Sequence, residues 1–170
     1  MTETFGAIEA NDAVDEIQTA WRQLRPELDV EVIGIVGRVL RSAALIVRRS
    51  DEVLGEYGLG RGEFDILAAL RRSVAPQSPG SLRTISLATA PATTKRLKAL
   101  EARGLVVRSA NPADGRGALI ALTADGELLV DRVFPAQLAA EQSLVAALSA
   151  DEARGVESAL RHLLASIDRA

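Results

Sequence analysis

The stretch that decides the fold is residues 89–123, TAPATTKRLKALEARGLVVRSANPADGRGALIALT. Its first part predicts a helix over residues 90–103, because Thr89 can cap the first turn and Pro91 is tolerated there. Gly104 is placed to end that helix as the residue just past its C-terminus. Two apolar runs then flank the turn-forming dipeptides Asn-Pro and Asp-Gly, which predicts a β-hairpin.

On either side of residues 89–123, the spacing of apolar residues predicts the remaining helices, and within this stretch it predicts the hairpin strands. We predict helices over 12–24, 30–57, 61–73, 81–88 and 124–147, a last helix that begins after Ser149, and hairpin strands over 105–108 and 118–122. Thr123 and Ser149 are expected to cap the last two helices, with Glu152 completing a capping box. Pro135 is expected to bend or interrupt the first of these two helices.

The helix predicted over 30–57 is apolar on nearly every face. Such a helix must be covered all round, which a chain of this size can hardly do alone. We therefore expect it near a dimer interface. The predicted fold class is mainly α with a small β-hairpin wing (α+β), in three parts. These are residues 1–57 with the long dimerisation-side helix, residues 58–123 with the helices and hairpin, and residues 124–170 with C-terminal dimerisation helices.

Charge is distributed unevenly along the chain. Residues 81–122 hold seven basic and two acidic residues, a net charge of +5, whereas the whole chain carries −3, which leaves −8 for the rest. A basic middle between acidic ends is typical of a phosphate-binding surface, although ordinary fluctuation could also produce it. Composition excludes other classes: without cysteine there is no disulfide scaffold or thiolate metal site.

The order of helix, short helix, turn, helix and hairpin is that of a winged helix-turn-helix. In that arrangement the second helix of the pair enters the DNA major groove and the hairpin tip reaches the minor groove. Small and polar residues near the start of the 90–103 helix can approach base edges, and its lysines can meet phosphates. The residues expected to contact DNA are Ala90, Ala92, Thr93, Thr94, Lys95, Arg96 and Lys98. A merely solvated helix face is the alternative interpretation.

These residues resemble the MarR family of bacterial regulators. The matching text is GEFDIL at 62–67, TKRL at 94–97, LEARGLV at 100–106, Arg108, NPADGRG at 111–117 and LTADG at 122–126. The resemblance adds Arg108, Asp114 and Arg116 of the wing to the expected DNA contacts. Gly115 stands where the family usually has a second arginine. The resemblance implies a homodimer that binds a palindromic operator in double-stranded DNA, most often as a repressor released by a small organic ligand, phenolic or anionic.

A finer resemblance concerns a ligand pocket. Some members of the family carry an extra N-terminal helix whose tryptophan forms a pocket with an aspartate and an arginine. Trp21, Asp65 and Arg96 are the residues that could do so here, with Arg96 and Asp65 as a charge pair. The alternatives are a core or interface anchor for Trp21, a surface carboxylate for Asp65 and a DNA contact for Arg96.

Signals for other functions are missing from the sequence. His162 is the only histidine and has no His or Cys at ligand spacing. No Gly-x-Ser-x-Gly motif occurs, and the glycines between residues 55 and 62 lie between predicted helices. We expect no enzymatic activity, cofactor or metal, and, without a signal peptide or membrane span, a cytoplasmic location. The alternative function is a winged-helix protein-interaction module that does not read DNA, which the acidic net charge and Gly115 would suit.

Overall fold

In a computed structural model, the chain is described over residues 11–86, 88–112 and 114–169, without the side chains of residues 85 and 114–116. The elements described are α1 (Ala13–Leu24), α2 (Glu31–Gly55), α3 (Arg61–Arg71), α4 (Pro79–Ile85), α5 (Ala90–Ala102), β1 (Val106–Asn111), β2 (Asp114–Leu122), α6 (Ala124–Val145) and α7 (Ala150–Ile167). The predicted fold class, mainly α with one antiparallel hairpin, is confirmed. The chain divides into two compact units, one ending at Ile46 and the other beginning at Val47.

In the first unit, α1 packs on the first part of α2. The carboxylate of Asp12 caps α1 by accepting hydrogen bonds from the backbone N–H groups of Val14 and Asp15, at 2.7 and 3.1 Å. Val14 is buried against Gly37, where an added Cβ would lie only 2.9 Å from its Cγ1. Arg38 on α2 donates to Asp15 at 2.7 Å, and this hydrogen bond lowers the pKa of that carboxyl.

The second unit has one hydrophobic core, centred on α3. This helix packs against α4, α5, β2 and α6, and its residues Phe64, Leu67 and Leu70 are buried as predicted. Leu97 and Leu100 of α5 close the core from the other side, as predicted. The remaining members of the cluster are Leu54, Leu59, Ile66, Ala69, Leu82, Leu105, Val106, Ile120, Val130 and Val133.

The predicted helix ends are confirmed at four places. The hydroxyls of Thr89 and Thr123 cap α5 and α6 by accepting a backbone hydrogen bond in the first turn. Ser149 and Glu152 form the predicted capping box of α7. Gly104, just past α5, has a φ of +68°, a left-handed conformation that favours glycine.

Other predicted boundaries are wrong. Helix α4 begins at Pro79 rather than at Ser81, because the Ser78 hydroxyl caps it and a proline fits the first turn. Helix α2 ends at Gly55, before the left-handed turn at Gly58. Helix α6 is one helix from 124 to 145, so Pro135 does not interrupt it. The alternative, that Pro135 bends the helix, stays a prediction.

The hairpin strands are longer than predicted. β1 runs to Asn111 and β2 starts at Asp114, so that pairing extends into the segment predicted as a loop over 111–117. The register pairs Val106 with Leu122, and it shifts by an irregularity between Ala110 and Asn111.

Large apolar side chains are exposed along α2 and α7. On α2 they include Val32, Ile35 and Leu40, each at least 60% exposed, and on α7 they are Val156, Leu160, Leu164 and Ile167. Apolar surface of this extent is unusual on a monomer. No helix of the described residues is long and apolar enough to cross a membrane.

Candidate nucleic-acid interface

The outer face of α5 carries four exposed side chains at helical spacing. Pro91, Thr94, Lys95 and Lys98 follow one another by three, one and three residues, which places them on one side of the helix. Together with Ala90 they line a shallow groove of about 590 Å³. The Thr94 hydroxyl donates to the Ala90 carbonyl at 2.9 Å, which holds its methyl group and its oxygen in fixed positions. This face offers two positive charges beside small polar and apolar groups.

The position expected for Thr93 needs correction. Thr93 is 2% exposed and its hydroxyl donates to the Thr89 carbonyl at 3.2 Å, inside the domain. It shares the buried face with Leu97 and Leu100, four and seven residues further on, so its side chain points away from the outer face. Sequence reasoning missed Pro91, which occupies the outer face instead. The spacing from Pro91 to Lys98 was the signal that could have identified it.

Ala92 and Arg96 lie on the side of α5 that faces α3. Both are partly buried and line a cleft of about 620 Å³ in the second unit. The Arg96 guanidinium lies directly on Gly62, where an added Cβ would sit 2.2 Å from Cζ. A side chain at position 62 would have to displace that guanidinium. Arg96 therefore faces the cleft rather than the outer groove.

The cleft contains the predicted aspartate, but with a different partner. Asp65 accepts from Arg61 Nε at 2.9 Å, an i,i+4 pair within α3, and no ion pair joins it to Arg96 among the described residues. The expected Arg96–Asp65 pair is thus replaced by an Arg61–Asp65 pair, although both side chains line the same cleft. Trp21 lies on α1 of the first unit and is 44% exposed.

The wing leaves the end of α5 at a fixed place. The Thr123 hydroxyl donates to the Gly104 carbonyl at 2.6 Å, and the Thr123 N–H donates to the Leu105 carbonyl at 3.1 Å. Gly126 packs so closely on that strand entry that an added Cβ would lie 2.1 Å from the Leu105 carbonyl oxygen. These contacts join the base of the hairpin to the start of α6.

The basic residues of the wing are placed as follows. Arg108 is an exposed residue of β1, opposite Ile120, and its Nε lies 3.8 Å from a carboxylate oxygen of Glu101 on α5. Asp114 and Arg116 belong to the β2 backbone near the hairpin tip, and their side chains lie outside the described part. The exposed lysines of α5 and the wing thus belong to one continuous segment of chain.

Comparison with known proteins identifies this arrangement. A model of the MarR family matches residues 57–117, which span α3 to the wing. The transcriptional regulator PecS of Dickeya dadantii is 35% identical over 158 residues, covering 92% of this chain and 93% of PecS. The chain belongs to the MarR family.

Three further matches include one relative and two solved structures. The multiple antibiotic resistance protein MarR of Escherichia coli is 29% identical and matches 79% of this chain and 93% of its own length. A crystal structure of an E. coli MarR mutant complexed with operator DNA has a TM-score of 0.70 at 25% identity, covering 85% of this chain and 97% of that one. BpsR of Bordetella bronchiseptica, from a study of its regulation by 6-hydroxynicotinic acid, has a TM-score of 0.68 at 28% identity, covering 75% and 97%.

Proposed function

We propose that this MarR-family regulator binds double-stranded DNA as a homodimer, with α5 in the major groove and the wing beside the minor groove. The observation that carries the proposal is the outer face of α5, where Lys95 and Lys98 flank Pro91 and Thr94. Ammonium groups suit phosphates, whereas small and apolar groups suit base edges and thymine methyl groups. The related E. coli protein complexed with operator DNA supports the same mode. The proposed contacts are Ala90, Pro91, Thr94, Lys95 and Lys98, with Arg108, Asp114 and Arg116 from the wing.

A second copy of the chain accounts for the exposed apolar side chains of α2 and α7. Covering such surface is the main driving force for stable association. A two-fold dimer presents its two recognition helices to two half-sites about one helical turn apart, hence a palindromic operator. These helices are our proposed dimerisation parts, on either side of a DNA-binding part over residues 58–123.

The effector site that we propose is the cleft lined by Asp65 and Arg96. It also contains Arg61 and Lys95, and three carboxylates balance its three cations. Arg61 is paired with Asp65 and Glu141, whereas Lys95 and Arg96 form no ion pair among the described residues. These two cations suit a small organic anion with hydrogen-bonding groups. BpsR, which is regulated by 6-hydroxynicotinic acid, supports this class of effector. Because Lys95 borders both the cleft and the DNA-facing groove, occupancy should weaken operator binding, and we propose repression relieved by the effector.

A ligand titration tests the effector proposal. The ligand is 6-hydroxynicotinic acid, and the readouts are the melting temperature of the protein and the release of bound duplex. Arg96→Gln should abolish both effects, while Arg154→Gln on α7 should not. The contribution of Trp21 to the ligand site stays a prediction. It is tested by quenching of Trp21 fluorescence on ligand addition, because Trp21 is the single tryptophan of the chain.

The DNA proposal is tested with the duplex that flanks the protein's own gene. We expect affinity in the nanomolar range and a preference of about a thousandfold or more over a scrambled duplex of the same length. Equal affinity for both duplexes would favour the alternative, a protein-interaction module. The relative PecS is a transcriptional regulator. We propose a regulatory, non-catalytic protein without metal or cofactor that acts in the cytoplasm, where bacterial DNA lies.

A further inference from the structure

Arg61, the first residue of α3, holds three helices of the second unit together. Its Nη1 donates to the Ser50 hydroxyl on α2 at 3.0 Å and to Glu141 Oε1 on α6 at 3.1 Å. Its Nε donates to Asp65 in its own helix, and its backbone N–H donates to Asp51 Oδ1 on α2 at 2.7 Å. One residue thus fixes the start of α3 to both α2 and α6.

A buried amide joins the same network. Gln137 on α6 is 2% exposed, and its Nε2 donates to two of the four acceptors that Arg61 uses, the Ser50 hydroxyl at 2.8 Å and Glu141 Oε1 at 2.9 Å. Its Oε1 is buried without a hydrogen-bond partner among the described residues. Ser50 is also 2% exposed, whereas the side chains of Arg61 and Glu141 are 30% and 41% exposed. The hydrogen bonds to Ser50 are therefore shielded from water, and this strengthens them. A planar guanidinium suits the role, because it directs several donors in a fixed fork.

The other end of α3 is attached differently. Arg71 binds both carboxylate oxygens of Asp131 on α6, at 2.8 and 2.9 Å. Their side chains are 45% and 54% exposed, and no ion pair among the described residues ties Arg71 to α2. Exposed pairs of this kind contribute little. The two attachments therefore make a matched comparison: both join α3 to α6, but only Arg61 joins α3 to α2 as well.

We infer that Arg61 is the positioning residue that fixes the DNA-binding part of each subunit on the helices α2 and α6. Helix α5 packs on α3 through the shared core, so a shift of α3 carries the outer face of α5 with it. In a dimer, that shift changes the separation of the two recognition helices. This inference rests on the proposed function, because it concerns how the dimer selects the spacing between its half-sites.

Operator spacing provides the test. The probes are the palindromic duplex recovered by selection from random sequence and its two derivatives with one base pair inserted or removed between the half-sites. Each added base pair moves the half-sites about 3.4 Å apart and rotates one against the other. The full-length variants are Arg61→Met, Glu141→Ala and, as the matched control, Arg71→Met. Glu141→Ala removes the contact of Arg61 with α6 and, with it, the hydrogen bond from Gln137 within that helix. Melting temperatures are measured alongside, and a loss of stability alone does not alter the spacing preference of the folded dimer.

The wild type and Arg71→Met should lose about tenfold in affinity on either spacing change, the cost of about one misplaced base contact. Arg61→Met should lose less than about threefold, because a loosened joint lets the recognition helices adapt. The loss of affinity for Glu141→Ala should lie between these two values. If Arg61→Met fails to fold, Glu141→Ala alone is compared with the wild type. Wild-type spacing preference in both variants would overturn the inference. Failure of the wild type to select any duplex would instead overturn the proposed function.

Discussion

Removing both lysines from the outer face of α5 should change how DNA binding depends on salt. Lys95 and Lys98 are exposed, lie one turn apart and line the same groove. Each phosphate neutralised by a protein cation contributes about −0.9 to the slope of log affinity against log salt concentration. A dimer with Lys95→Gln and Lys98→Gln lacks four such cations, so the slope should become less steep by about 3 to 4 units.

The change in slope has a large effect on affinity. When the salt concentration rises from about 50 to 200 mM, both proteins lose affinity for DNA. The fold-loss should be about a hundred times smaller for the double variant than for the wild type. Binding is measured by fluorescence anisotropy on the same duplex at a series of salt concentrations. The ratio between specific and scrambled duplex should change much less than the slope, because phosphate contacts carry little sequence information.

A charge-matched control separates contact from net charge. Arg154→Gln with Arg161→Gln removes the same two charges from α7, where both side chains are at least 70% exposed. This control should keep the wild-type slope to within about one unit. If the lysine variant and the control shifted the slope equally, the lysines would act only through overall charge, and the assignment of the outer face would be refuted.

Three further outcomes are expected. Replacing contacted thymines by uracil should weaken wild-type binding about fourfold per half-site, which is the value of one buried methyl group. The same replacement should not weaken DNA binding by the Pro91→Ala variant. Equal losses for both proteins in an anisotropy assay would show that Pro91 does not contact bases. Gly126→Ala should lower the free energy of unfolding by about 1–3 kcal/mol in a denaturant titration, because its Cβ would lie 2.1 Å from a carbonyl oxygen. The control Gly155→Ala, where no atom lies within 4 Å of the added Cβ, should be neutral or stabilising. Similar values for the two variants would contradict the packing at Gly126. Arg38→Met should weaken the packing of α1 on α2, which tryptophan emission measures. The effect should be full above the ordinary Asp pKa of 3.8 and should decrease as the pH falls through the lowered pKa of Asp15, whose main cause is the Arg38 hydrogen bond. A difference between wild type and variant that does not depend on pH would argue against the Arg38–Asp15 pair.

Local signals were sufficient for much of the fold. Thr89 and Gly104 delimit α5 through a side-chain cap and a left-handed turn, both properties of a few adjacent residues. The start of α4 was missed although Ser78 and the proline after it are a helix-start pair, because the same residues also form loops. The two hairpin strands extend beyond their apolar residues, because β1 continues to Asn111 through backbone pairing that does not depend on side-chain polarity.

The candidate site was predictable in outline and less so in detail. The basic, small-residue character of α5 is readable from sequence, but the rotation of the helix decides that Pro91 faces out and Thr93 faces in. The partner of Asp65 could have been found, because Arg61 precedes it by four residues on the same helix. The contact of Arg61 with Glu141 spans 80 positions of sequence, and only the folded chain brings those two side chains together.

Hydroxyl-radical footprinting of the selected duplex tests the central claim, that two copies of this chain place two α5 helices on DNA at once. A dimer bound in this way should protect two segments on each strand, related by two-fold symmetry and centred about 10 base pairs apart. A single protected segment, or uniform weak protection along the duplex, would contradict it.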